Sequence, residues 1–127
     1  MGKYEHLIFK NLPQFEELEG RREKVPFWLT EQMFPDVKIR VAARDCSKMV
    51  NKPHAAPHSH ELPEVYLAIT EYPGDMKCEI LLGDESYVVK SPFAVFIPAR
   101  VRHAFKVLKC DKPNYMIGII LEYLKEK

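Results

Sequence analysis

The sequence has no long hydrophobic run, because its apolar stretches are short pieces separated by charged and turn residues. A membrane-spanning helix needs about 20 consecutive apolar residues, and the N-terminal MGKYEHLIFK also lacks the apolar core of a signal peptide. Neither sign of charge is in excess, since 19 basic and 18 acidic side chains give a net charge of +1. We therefore predict a cytoplasmic protein whose partner is a small molecule, with no nucleic acid and no membrane involved.

Cysteine is scarce, and its arrangement excludes two kinds of site. Cys46, Cys78 and Cys110 are odd in number and form no C-x-x-C pair. A disulfide framework and a thiolate zinc site both require paired or clustered cysteines. We expect three reduced thiols, as in a cytosolic protein. The alternation around Cys78 predicts that this residue is a small buried apolar side chain rather than a nucleophile.

The ten prolines divide the 127-residue chain into short segments, and the length is that of one domain. The segment NLPQFEELEG predicts a short helix that is capped by Asn11 and ends at Gly20. From VKIRVAA onwards, short apolar runs between turn residues predict about eight strands. In YPGD, Pro73 and Gly74 occupy the central positions of a type II turn, which predicts a tight hairpin. This pattern is typical of an all-β sandwich or barrel.

The segment HAAPHSHELPEVY contains three of the five histidines in the chain. Residues two apart on an extended chain share a face, so His58 and His60 point the same way. Pro63 predicts a bend before a strand that starts at Glu64, and this bend lets the carboxylate turn back towards the two imidazoles. His103 is a further histidine, far along the chain, on another predicted strand. These four side chains are the candidate metal ligands.

Three neutral imidazoles and one carboxylate offer nitrogen and oxygen donors without a thiolate. Such a set suits one divalent ion of iron, manganese, nickel or zinc and does not select among them. Four protein donors leave two positions of an octahedron open for water, substrate or O₂. The ion would polarise a substrate carbonyl, lower the pKa of a bound enediol or bring O₂ to the substrate.

Four further residues are candidates for roles beside the ion. His54 lies in a proline-rich loop, where it is either a loop histidine without a metal role or a base at the mouth of the pocket. Tyr66 shares a strand face with the carboxylate ligand and would either pack or transfer a proton. Arg100 is the candidate anchor for a substrate carboxylate or phosphate, with exposure to solvent as the alternative. Phe105 lies on the same predicted strand as His103 and is the candidate apolar contact of the substrate.

The spacing of the ligands resembles the two motifs of the cupins, which are small β-barrels. The first cupin motif reads H-x-H, three or four residues, E, and is matched by His58, His60 and Glu64. The second reads P-x-G-x-x-H and is matched by Pro98 and His103. The resemblance covers roughly residues 50 to 110, about half of the chain. Other residues replace the glycines and the asparagine of the motifs, at Lys52, Glu71, Arg100 and Val107.

The resemblance implies a single cupin domain over residues 1–127, a β-barrel or jelly roll of residues 37–124 preceded by an N-terminal arm of residues 1–36 with the short helix. It also implies a metal-dependent enzyme, most commonly a dioxygenase or an isomerase, acting on a small organic acid, sugar or aromatic compound. The alternative is a non-catalytic module that binds a small molecule or a metal ion. The second apolar face of Val65, Leu67 and Ile69, together with the segment VPFWLTEQMF, exceeds what one small barrel can easily cover. Since cupins also often assemble, we expect a homodimer.

Overall fold

The computed structural model of the protein describes residues 2–18, 23–52 and 56–121. The strands in these ranges are β1 (Gln14–Glu16), β2 (Val25–Leu29), β3 (Arg40–Asp45), β4 (Glu64–Ile69), β5 (Met76–Leu82), β6 (Glu85–Lys90), β7 (Phe93–Ile97), β8 (His103–Cys110) and β9 (Tyr115–Ile120). Two single turns of 3-10 helix, Glu5–Leu7 and Cys46–Lys48, are the helical elements of the described residues. No helix within these ranges is long and apolar enough to cross a membrane.

The strands form two antiparallel sheets that share one hydrophobic core. The larger sheet has the order β1-β2-β3-β9-β4-β7, and the smaller sheet has the order β6-β5-β8. Ala68 and Met116 of the larger sheet are buried in one cluster with Cys78, Ile80 and Val107 of the smaller sheet. Because every second residue of a strand faces the partner sheet, the core forms from alternate positions. The predicted all-β jelly roll is confirmed, with very little helix.

The predicted helix over NLPQFEELEG is wrong for the part of this segment that the structure describes. Gln14–Glu16 form β1, which pairs with β2 in the larger sheet. An isolated helix shorter than about 12 residues is marginal in water. The extended chain instead places Glu16 Oε1 2.9 Å from Nη1 of the buried Arg40. This ion pair and the strand pairing outweigh the local helix signal, while Gly20 lies outside the described residues.

The YPGD turn forms as predicted, but it does not make a hairpin. The N–H of Asp75 donates to the carbonyl of Tyr72 at 3.2 Å, and Gly74 has a φ of +85°. Both features are typical of a type II turn. The turn connects β4 to β5, which belong to different sheets, so the predicted tight hairpin is wrong. The following loop, Gly83 and Asp84, does close a hairpin between β5 and β6.

The alternation that the sequence predicts for β4 is confirmed. Glu64, Tyr66 and Ala68 are buried, whereas Val65 and Leu67 on the other face are half-buried. The proposed arm of residues 1–36 contributes β1 and β2 to the edge of the larger sheet, where β2 pairs with β3. The domain boundaries stay a prediction.

Candidate metal centre

The candidate site forms where the segment before β4 meets the start of β8. The N–H of His58 donates to the carbonyl of His103 at 3.0 Å, and the N–H of His103 donates to the carbonyl of His58 at 2.8 Å. This antiparallel bridge places the two side chains next to each other. The N–H of Arg100 also donates to the carbonyl of His60, at 2.8 Å. The three imidazoles therefore converge, with ring centroids between 4.5 and 5.9 Å apart.

Each imidazole is oriented by a hydrogen bond to nearby backbone. Nδ1 lies 2.9 Å from the carbonyl oxygen of a residue two positions away: Ala56 for His58, Leu62 for His60 and Val101 for His103. A carbonyl oxygen can only accept, so Nδ1 carries a proton and donates it in all three cases. The ligand atoms of the three histidines lie within 4.8 Å of one another. This arrangement is typical of metal-binding histidines, whose second nitrogen donates to a fixed acceptor.

Glu64 brings a carboxylate to the same point. The chain bends at residues 61 and 62, and β4 begins at Glu64, as the sequence predicts. Oε1 of Glu64 lies 3.1 Å from Nε2 of His60 and 3.3 Å from Nε2 of His103. Burial raises the pKa of Glu64, but the interactions of its carboxylate with these two histidines more than offset this rise and lower the pKa to about 2. Glu64 therefore presents an anion to the imidazoles.

The donor atoms of this cluster fit a divalent ion. Nε2 of His103 is buried, lies 3.3 Å from Oε1 of Glu64 and has no hydrogen-bond partner among the residues that the structure describes. A buried polar atom without a partner costs about 1–3 kcal/mol. A neutral imidazole with its proton on Nδ1 also has only a lone pair to offer the carboxylate. A cation between the donors would satisfy the lone pairs of all of them.

A glycine on the neighbouring strand leaves room for the Glu64 carboxylate. Gly118 of β9 pairs with Tyr66 of β4 and with Ala42 of β3. A Cβ atom added to Gly118 would lie 3.1 Å from Oε2 of Glu64. That separation is shorter than the optimal contact of about 3.5–4.0 Å. The sequence does carry a signal for Gly118, because a glycine inside an apolar strand often marks the close approach of another group.

A pocket of about 60 Å³ opens beside the cluster. It has room for about four to six water molecules. His58, Glu64 and Tyr66 line it together with Val25, Ala42, Ala43, Arg44, Ala104, Phe105, Met116 and Gly118. The rings of Tyr66 and Phe105 pack edge to face at 5.3 Å. The pocket therefore offers a small, mostly apolar space next to the candidate ligands.

The other predicted site residues lie in different places. Tyr66 and Phe105 line the pocket, but their roles towards a substrate stay predictions. Arg100 does not line it: its side chain is 72% exposed and pairs with Glu61 at 2.9 Å. The φ of Arg100 is +69°, so the turn keeps the left-handed conformation that a glycine would adopt readily at this motif position. His54 lies outside the described residues.

No family model matches the sequence, and no curated protein matches it either. Solved structures do match. A cupin protein from Bacteroides fragilis superposes with a TM-score of 0.59 at 12% identity, over 94% of this chain and 91% of that chain. A cupin-like protein from Thermotoga maritima gives 0.57 at 16%, over 91% and 80%. An RmlC-like cupin from Shewanella frigidimarina gives 0.54 at 14%, over 93% and 91%.

Proposed function

We propose that this chain, which has the cupin fold, binds one divalent metal ion and presents it to a small ligand. The observation that carries the proposal is the convergence of the His58, His60 and His103 ligand atoms within 4.8 Å. Glu64 is the proposed fourth ligand, supported by its distances of 3.1 and 3.3 Å to two of the imidazoles. Nitrogen and oxygen donors of this kind suit iron, manganese, nickel or zinc.

We further propose that the protein is an enzyme acting on a small organic acid, sugar or aromatic compound. A bound divalent ion would supply Lewis-acid or, for a redox-active metal, oxidative chemistry. Tyr66 is 5% exposed and lines the pocket, and its hydroxyl would donate a hydrogen bond or a proton to the ligand. Phe105 packs against the ring of Tyr66 and would keep water from that side of the ligand. Dioxygenase and isomerase are the proposed reaction types.

A non-catalytic binding module is the alternative function. It is favoured by the lining of the pocket: besides the proposed ligands, Tyr66 and Arg44 are the polar side chains among the described lining residues. Acid–base catalysis requires a proton-transfer group within reach of the bound ligand. Replacing Tyr66 by phenylalanine in the iron-loaded protein separates the two functions, with oxygen consumption on small organic acids as the readout. A loss of turnover without a loss of ligand affinity supports the enzyme.

Equilibrium dialysis against Zn²⁺ or Mn²⁺ tests the metal site. We expect about one ion per chain for the wild type. His58→Ala should lower the metal affinity by more than about 100-fold. Loss of an outer-shell group that hydrogen-bonds a ligand already costs about 10–100-fold, and loss of the ligand itself costs more. His6→Ala is the matched control, since His6 is exposed in the first helical turn. Equal affinities of wild type and His58→Ala, with both proteins folded by circular dichroism, would contradict the proposal.

We propose a second copy of the chain as the partner of the outer face of the larger sheet. The apolar residues of this face come from four adjacent strands: Val41, Ala43, Val65, Leu67, Ile69, Ala94, Phe96, Tyr115, Ile117 and Ile119. With strands about 4.8 Å apart, the patch covers on the order of 400 Å², the size of the largest and often functional apolar patch of a monomer. The proposed homodimer would cover this patch on both copies.

Two substitutions of equally exposed residues test the homodimer. Phe96 on the apolar face is 59% exposed, and Val88 on the smaller sheet is 63% exposed. Light scattering should show that Phe96→Asp is a monomer and that Val88→Asp stays a dimer, because only the first change puts a charge into the interface. A monomeric wild type at micromolar concentration would contradict the proposal.

The proposed cytoplasmic location is supported by the state of the cysteines. Cys46, Cys78 and Cys110 are buried free thiols. Disulfides form and persist in oxidising compartments and are rare in the cytosol. Three unpaired thiols are therefore expected of a protein that works in a reducing compartment.

A further inference from the structure

We infer that the pocket selects a small ligand with a carboxylate group and that Arg44 binds this group, an inference that rests on the metal-binding function proposed above. Arg44 lines the pocket together with His58 and Glu64. It is the one lysine or arginine among the described lining residues, which are mostly apolar. A guanidinium in such surroundings recognises carboxylates through charge-assisted and often paired hydrogen bonds.

The strand register places Arg44 away from the metal cluster but on the same face of the sheet. Arg44 pairs with Met116, and Glu64 pairs with Ile120, four residues further along β9. An even separation keeps both side chains on the inner face. Their Cα atoms are separated by roughly 13 Å along the strands and 10 Å across them. Both residues line one pocket, so a ligand held in it would lie between them.

The volume of the pocket sets the size of this ligand. A space of about 60 Å³ corresponds to four to six water molecules, at about 10–15 Å³ for each. A ligand of about six non-hydrogen atoms fills such a space. It would present an oxygen donor to the ion at one end and a carboxylate to Arg44 at the other.

Two partners of Arg44 show how its guanidinium is held. Nη2 donates to the backbone carbonyl of Lys24 at 2.7 Å, and Nη1 lies 3.3 Å from Oε1 of Glu23. The Arg44 side chain is 16% exposed, but that of Glu23 is 80% exposed. Because exposed ion pairs contribute little stability, a ligand carboxylate can join or replace Glu23 at small cost. Glu23 thus shows that the Arg44 guanidinium accepts a carboxylate as a partner.

Isothermal titration calorimetry on the Zn²⁺-loaded protein tests this inference. The probes are 3-hydroxypropanoate and its neutral amide, 3-hydroxypropanamide, which have equal numbers of non-hydrogen atoms. The wild type should bind the carboxylate at least about tenfold more tightly than the amide. Arg44→Gln should reduce this preference to less than about twofold. Arg100→Gln, which changes an exposed arginine outside the pocket, should leave the preference unchanged.

Glu23→Gln is a second variant that keeps Arg44 in place. It removes the competing carboxylate, so 3-hydroxypropanoate should bind it as tightly as the wild type or a few-fold more tightly. The inference is overturned if the wild type binds both probes equally or binds neither, if folded Arg44→Gln keeps the preference, or if Glu23→Gln binds the carboxylate more weakly. Normal Zn²⁺ binding with any of these results refutes only the role of Arg44. Failure of the wild type to bind Zn²⁺ refutes the metal site and the inference together.

Discussion

Replacing Gly118 by alanine should weaken metal binding without weakening the fold. The new Cβ atom would lie 3.1 Å from Oε2 of Glu64, so the carboxylate must move by a few tenths of an ångström. Metal–ligand distances tolerate about 0.2 Å. We therefore expect roughly tenfold weaker binding of Zn²⁺, equivalent to about 1.4 kcal/mol. The backbone of Gly118 does not have a positive φ, so alanine suits its backbone conformation. Once the carboxylate has shifted, alanine should add up to about 1 kcal/mol of stability to the metal-free protein.

Two assays separate these effects. Competition with a chromophoric chelator measures the Zn²⁺ affinity, and urea unfolding of the metal-free protein measures stability. In a Glu64→Ala background the carboxylate is gone, so Gly118→Ala should cause no further loss of affinity. Wild-type affinity in the Gly118→Ala protein, or an equal loss in both backgrounds, would refute the claim that this glycine makes room for a metal-binding carboxylate.

Three further predictions concern stability and reactivity. The pKa of Glu31 is lowered chiefly by its hydrogen bond from Arg40. The contribution of Glu31 to the free energy of unfolding is therefore complete above its ordinary pKa of 4.5. This contribution is lost as the pH falls through the lower pKa of the folded state. In acid, the free energy of unfolding measured with urea should thus depend less steeply on pH for Glu31→Gln than for the wild type. An identical slope for both proteins would count against this ion pair. Burial raises the pKa of Cys46 and Cys78 to about 12, so Ellman's reagent should label them only as the protein unfolds; rapid labelling of the native protein would be the contrary result. Arg100→Gly should raise stability by up to about 1 kcal/mol in thermal unfolding, because the φ of +69° suits glycine, and a lower melting temperature would show that the turn is not strained.

The grouping of the candidate ligands could be predicted largely because it depends on local geometry. The two-residue period of an extended chain puts His58 and His60 on one face, and Pro63 sets the bend before Glu64. The predicted grouping of these histidines with His103 is confirmed. The backbone bridge between His58 and His103 brings the distant histidine into this group. This long-range contact could be anticipated only from the resemblance to the cupin motifs. The role of Glu64 as a ligand stays a prediction.

The remaining features depend on contacts between distant strands. Arg44 and Gly118 reach the pocket only because β3 pairs with β9, and the periodicity of either strand does not reveal its neighbour. The segment after Asn11 has local helix signals, but the chain there pairs as β1 and Glu16 contacts Arg40. The geometry of the YPGD turn is local and could be predicted. The sheet that each flanking strand joins depends on long-range pairing and could not.

A ¹⁵N NMR titration of the histidine side chains with Zn²⁺ tests the metal site most directly. One equivalent should shift the Nε2 signals of His58, His60 and His103, three of the five histidines in the chain, and the change should then be complete. Nδ1 of each should keep its proton, because each donates to a backbone carbonyl at 2.9 Å. Coordination through Nδ1, or no saturable change at these three histidines, would contradict the account.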